Sequence, residues 1–278
     1  MDMRLPPPET STTRHPRRVV RWRVRGELSR REYLLLASLG LALPILLWLG
    51  LGAFAGMEKL FLPSPLDVAK RGFVWAVSED LWRDVWVSIY RVSAGFACSA
   101  LLALPLGLAA GTFRPMQALL EPLMDFVRYM PAVAFIPLVM LWVGIGEPAK
   151  MGIIFIGTFF QQVLMVAEDV RRVPLAQIEA AQTMGATRGE VVRLVIWPSA
   201  KPALLDTLRV TLGWAWTYLV VAELVAANSG VGYAILKAQR FLQTDKIFFG
   251  ILLIGFIGLV QDQLLRRLHR FLFPWLHR

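Results

Sequence analysis

Arg91 and Glu223 each stand inside a long apolar run with no opposite charge within a helical turn. A charge at the centre of a bilayer costs roughly 2.5–3.5 kcal/mol even on the lenient insertion scale, so each must face protein, water or the other. The pair is therefore a candidate gate or translocation path in which Arg91 meets an anionic solute. A fixed ion pair, or side chains that snorkel to the interface, is the structural alternative. Arg128 and Arg209 differ, because Asp125 and Asp206 lie three residues before them and supply a helical ion-pair partner. Other chemistry is excluded. His15, His269 and His277 sit in basic tails without paired ligand spacing, which leaves no metal site and no Ser-His-Asp or Cys-His set. Cys98 is the single cysteine, so no intrachain disulfide forms. No G-x-x-x-x-G-K-[ST] loop occurs, and the chain is expected to bind no nucleotide or other cofactor and to catalyse no hydrolysis.

The elements that must carry these charges follow from composition. Of 278 residues, 56% are hydrophobic, too many for an ordinary soluble domain. Apolar runs at Tyr33–Gly56, Val85–Gly111, Leu119–Gly144, Met151–Val166, Ala203–Ala227 and Ile247–Leu265 predict an all-α, polytopic membrane protein of about six spans. The Met151 run is short and should extend into its flanks. The first run, with Ala53-Phe54-Ala55 behind it, imitates a secretory signal, yet its length is that of a retained span. Small residues at Gly52 and Gly56, Gly95 and Ser99, and Gly107 and Gly111 allow helix backbones to approach closely, within the chain or between copies.

Residues 1–32 form a separate segment. Nine arginines and a proline-rich composition predict a disordered basic arm drawn to anionic lipid, and the membrane setting argues against nucleic acid as its partner. Residues 33–278 would form the membrane domain. With both termini in the cytoplasm, nineteen Lys and Arg fall inside and eight outside, the distribution the positive-inside bias favours.

One segment of that domain, residues 170–202, breaks the apolar pattern. "EAAQTMGATRGEVVRLVIWP", Glu179 to Pro198, reads as a helix over Pro174–Met184, a glycine turn at Gly185, and a second helix from Thr187 that stops at Pro198. Gly185 suits a C′ position with positive φ, and Thr187 with Glu190 has capping-box spacing. By pattern alone, such a segment rests on lipid or meets a partner in water.

The same residues resemble the signature of bacterial ATP-binding-cassette importer permeases: Glu179-Ala180-Ala181, three residues, Gly185, nine residues, then Val195-Ile196-Trp197-Pro198. Trp197 departs from the family's leucine. Four further stretches are similar to the nitrate, sulfonate and taurine branch: "LPSPLDV" at Leu62–Val68, "RYMPAVAFIPLVMLWVGIGEPAK" at Arg128–Lys150, "AELVAANSGVGY" at Ala222–Tyr233 and "RFLQTD" at Arg240–Asp245. The resemblance implies the type I permease fold and a coupling segment in which Glu179, Ala180, Ala181, Gly185, Val195 and Pro198 serve contact with an ATPase. It implies ABC ATPase subunits that use the ATP, a periplasmic solute-binding protein and a second permease copy as partners. It places the chain in a bacterial inner membrane. The implied cargo is a small anion, leaning toward an alkanesulfonate or taurine, with nitrate, bicarbonate or another small organic solute open. A secondary carrier or a membrane-anchored interaction protein would share the spans but has no use for the Glu179–Pro198 pattern.

Overall fold

The computed structural model describes residues 28–54 and 60–276. Most of the expected basic arm lies outside them, as do Ala55 and Gly56; within the arm's expected bounds, Arg30 and Arg31 are already helical. The chain divides into two units, residues 1–50 and 51–278. The described part of the first is the body of α1, Arg30–Phe54, which is 25 residues long. Ser29 opens it: its hydroxyl accepts from the Glu32 N–H at 3.3 Å, while Glu32 accepts from the Ser29 N–H at 3.0 Å. That reciprocal pair satisfies two donors that a helix start leaves over.

Among the described residues, every regular element of the second unit is helical. The "LPSPLDV" stretch becomes the start of α2, Pro65–Ser78, where Ser64 caps the Asp67 N–H at 3.2 Å and Pro65 occupies a position that needs no donor. Then come α3, Leu81–Thr112, and α4, Arg114–Arg128. A short 3-10 turn, Ala132–Phe135, leads into α5, Ile136–Val143. The long helices resume with α6, Glu147–Arg171, and α9, Trp197–Ala226. Between these lie α7, Leu175–Thr183, and the single turn α8, Arg188–Glu190. The chain closes with α10, Val231–Arg240, and α11, Thr244–Leu272.

Five of these helices are long and apolar enough to cross a membrane, and a sixth span exists only as a bent pair. The run Leu119–Gly144 does not form one continuous helix. It bends by 89° between α4 and the Ala132–Val143 segment. Pro131 is the cause, since its ring disfavours the helical conformation of the residue before it and it has no N–H to donate. The Met151 run does extend into both flanks, reaching 25 residues.

α3, α6 and α9 make the core. Gly95, Gly107 and Gly111 of α3 lie where a Cβ would sit 2.5–2.9 Å from Ile154, Val166 and the Ala167 carbonyl of α6, so the small residues of α3 serve packing within the chain, whereas a Cβ at Gly52 of α1 would meet open space. Buried side chains add hydrogen bonds along that seam. The Ser99 hydroxyl donates to Gln162 at 2.7 Å, the Gln162 amide donates to Thr211 at 3.3 Å, and Thr207 donates to Asp169 at 2.5 Å.

Candidate functional site

At the Glu147 end of α6, the structure brings Arg91 and Glu223 together. Arg91 Nη1 donates to Glu223 Oε1 at 2.7 Å and to the Ser229 carbonyl at 2.6 Å. Glu147, which nothing in its local sequence ties to Arg91, accepts from Nε and Nη2 in a bidentate pair at 2.6 Å each. The second Nη2 hydrogen points at Ser229 Oγ, 3.4 Å away. All five guanidinium N–H groups thus have acceptors in the chain. Arg91 is 1% exposed and Glu223 fully buried. Lys150 adds a second cation to Glu147 at 2.8 Å, so two positive and two negative groups balance.

The "AELVAANSGVGY" stretch builds the other wall of this cluster. Glu223 also accepts from Ser88 Oγ and from the Gly232 N–H, both at 2.8 Å, and Asp84 accepts from the Gly230 N–H at 2.8 Å. Gly230 has φ 111°, and a Cβ there would lie 2.2 Å from Glu223 Oε1. Only glycine permits both the backbone conformation and the approach of the loop to the carboxylate. The sequence showed Arg91 and Glu223 as charges without local partners; Glu147 and Ser229 escaped because their contacts span 56 and 138 residues.

At the Arg171 end, α7 and α8 form a compact unit. α7 ends in a Schellman motif: the Gly185 N–H donates to Gln182 O at 2.9 Å and the Ala186 N–H to Ala181 O at 3.0 Å. Gly185 has φ 87° with open space where a Cβ would be, so conformation and not packing requires the glycine. The Thr187–Glu190 capping box is present, with the Thr187 N–H donating to Glu190 at 2.7 Å. The predicted stop at Pro198 is not. After Glu190 the chain widens into a π-helix, Val191–Ile196, and runs on into α9, with Pro198 in its first turn. The i→i+5 pattern of a π-turn absorbs the loss of the proline donor, so the second short helix is the base of the span itself.

This unit rests on its own chain. Ala181, Val191 and Ile196 are buried with Val166, Val170, Ala200 and Leu204 of α6 and α9, and Val195 packs partly against them. Ala181 therefore seats α7 and presents no surface. Glu179, Ala180, Gly185 and Pro198 are exposed, and so are Met184 at 82% and Leu175 at 70%. Arg209, expected to pair with Asp206, does so at 2.9 Å and also reaches Asp262 of α11 at 3.0 Å.

Long helices tied by a buried ion cluster at one end, and continued at the other into an exposed glycine turn, describe a polytopic transport subunit. The chain belongs to the binding-protein-dependent transport system inner membrane component family, whose sequence model matches residues 103–277. It is 34% identical over 269 residues to the taurine transport system permease protein of Escherichia coli, covering 94% of this chain and 95% of that one. A putative aliphatic sulfonates transport permease protein of Bacillus subtilis is 34% identical over 239 residues, 85% of this chain and 87% of that one. The bicarbonate transport system permease protein of Synechococcus elongatus is 27% identical over 192 residues, 69% of each chain. Among solved structures, an inward-facing MetNI methionine ABC transporter matches with TM-score 0.58 at 22% identity, over 67% of this chain and 95% of that one. An amino acid ABC transporter crystallised with histidines matches with TM-score 0.60 at 14% identity, over 74% and 97%.

Proposed function

We propose that this chain is the permease subunit of an ATP-driven importer for small alkanesulfonates, taurine among them. The observation that carries the energy source is the α7–Gly185–α8 unit. It is rigidly capped and seated on the ends of α6 and α9, and it exposes Met184, Leu175 and Glu179 where a helix pair in water needs a partner. An ATPase subunit is that partner, and closure of an ATPase pair pushes the unit and with it α6 and α9. ATP is bound there, and this chain needs no cofactor of its own. The solute follows from the taurine and aliphatic sulfonate relatives; the bicarbonate relative makes a small inorganic anion the competing cargo.

In this reading the Arg171 end of α6 and both termini face the cytoplasm, and the Glu147 end faces the compartment from which a solute-binding protein delivers cargo. A second copy of the chain completes the pathway. Arg91 and Glu223 pin the outer ends of α3, α6 and α9 and take no part in holding solute, because Arg91 has no N–H left to offer. The test is uptake by the importer, reconstituted with its ATPase and binding protein, from a panel of taurine, butanesulfonate, nitrate and bicarbonate. Sulfonates should be carried and should compete with one another. Uptake of bicarbonate or nitrate with no sulfonate uptake contradicts the assignment.

A further inference from the structure

The bend between α4 and α5 opens a cavity of about 350 Å³ whose walls include Arg128, Gln161, Gly157, Trp214, Thr217 and Tyr218. It lies midway along the bundle. Gln161 is the fifteenth of 25 residues in α6, and Trp214 the eighteenth of 30 in α9. Two independent features mark it. Val127 and Arg128 line it from the end of α4, Met130 from the break and Ala132 from the turn that follows, and non-helical backbone at membrane depth persists only where it is buried in protein or lines a water-filled space. The cavity also holds an arginine at a depth where an ionised side chain is costly without a role.

We propose that this cavity is a solute subsite in which Arg128 holds the oxyanion head of a small organic anion and the aromatic walls take its tail. The proposal rests on the importer reading and names the part of the chain that cargo touches. Arg128 is suited to this in a way that Arg91 is not. Asp125 engages its Nε at 3.0 Å and fixes the guanidinium plane. The two outer nitrogens make weaker contacts, Nη1 to Gln161 at 3.5 Å and Nη2 to the Tyr129 hydroxyl at 3.0 Å. A sulfonate replaces both with charge-assisted hydrogen bonds to a planar fork, and three oxygens leave one for the Gln161 amide or the Thr217 hydroxyl. Trp214, Tyr218 and Phe160 then flank a tail of a few carbons. The volume is at the small end of ligand sites, roughly 300–1,000 Å³, which suits a solute of a few heavy atoms. Gly157 lets the Tyr218 ring approach: a Cβ there would lie 2.4 Å from it, so any larger residue displaces the ring from its place on the cavity wall.

The test uses the full importer in membranes, with Cys98→Ser removing the chain's single thiol and Thr217→Cys placing one on the cavity wall. Two methanethiosulfonate reagents of similar size are compared, one bearing a sulfonate and one a quaternary ammonium, each relative to its rate with a free thiol in solution. Arg128 should favour the sulfonate reagent roughly tenfold, the low end of what a charged cleft gives, and Arg128→Gln should abolish the preference. Gln161→Cys repeats the measurement if the first variant does not accumulate. An unreactive thiol at both positions, or the same preference in Arg128→Gln, overturns the proposal. In the uptake arm, Arg128→Gln should lose at least about tenfold in transport while ATP hydrolysis persists, and Arg128→Lys should recover part of it. Unchanged uptake by Arg128→Gln also overturns the subsite. A failure of the sulfonate assignment reads differently, as no sulfonate uptake by the wild type with the reagent preference intact.

Discussion

Arg91 and Glu223 illustrate how little a charge in an apolar run says about its use. Their burial, the five satisfied N–H groups and the glycine wall make a closed cluster, so removing Arg91 leaves Glu223 fully buried without its cation. Arg91→Ala should lower stability by about 3–5 kcal/mol, the range for breaking a buried pair, and should be seen as loss of folded protein in mild detergent. Exchanging the two charges should fail to rescue. Arg91→Glu would face Glu147, and Glu223→Arg would meet the backbone of Gly230 and Gly232. A double exchange as stable as the wild type would show that the pair is isolated from its walls. Gly185 is the converse case, with space around it and strain only in φ. Gly185→Val should cost about 1–3 kcal/mol locally and weaken ATPase association, whereas Gly185→Asn, which tolerates positive φ, should retain most of it. Pull-down of the ATPase with each variant separates the two.

Helices α2 and α11 are joined by a lock that sequence alone did not reveal. Glu79 takes a hydrogen bond from Lys246 and pairs with Arg71 at 2.8 Å, Lys246 lies 4.4 Å over the Trp75 ring, and Gly72 admits Phe249 against the α2 backbone. The Lys246 hydrogen bond, helped by the charges of Lys246 and Arg71, holds the Glu79 carboxyl below its ordinary value despite some desolvation. A depressed folded pKa gives stabilisation that is full above the unfolded value near 4.3 and is lost as pH falls through the folded one. Thermal stability of Glu79→Gln should therefore trail the wild type equally from pH 5 to 8, and the gap should close only in stronger acid. Along the core seam, Gln162→Leu should lower stability by about 1–2 kcal/mol, the scale of interhelical hydrogen bonds in membranes. The spans, the Gly185 turn and the Thr187–Glu190 box were legible because periodicity, a positive-φ glycine and a capping box are local signals. The break at Pro131 was written in the sequence but hidden inside an apolar run that reads as continuous. The π-turn before Pro198 is local but carries no pattern that separates it from an ordinary helix, while the Glu147 and Ser229 contacts of Arg91 and the Arg128 cavity join residues tens of positions apart, which no spacing rule reports.

For the chain as a whole, the proposed coupling unit, the three packed helices and the proposed mid-depth anion subsite make one path for force and one for cargo. In the proposed orientation the Arg91 cluster lies at the outer end of α6 and the capped unit at its cytoplasmic end. Residues 1–18 are outside the described residues, and their proline-rich, basic composition predicts that their deletion should leave uptake nearly unchanged, with topology set by the remaining arginines. The most direct measurement is solute uptake into vesicles holding the importer with its ATPase and binding protein, with ATP present or absent and with Gly185→Val in parallel. Sulfonate should accumulate only with ATP, and Gly185→Val should lose most of that uptake while still inserting. Accumulation driven by an ion gradient without ATP, with Gly185→Val as active as the wild type, would contradict the account.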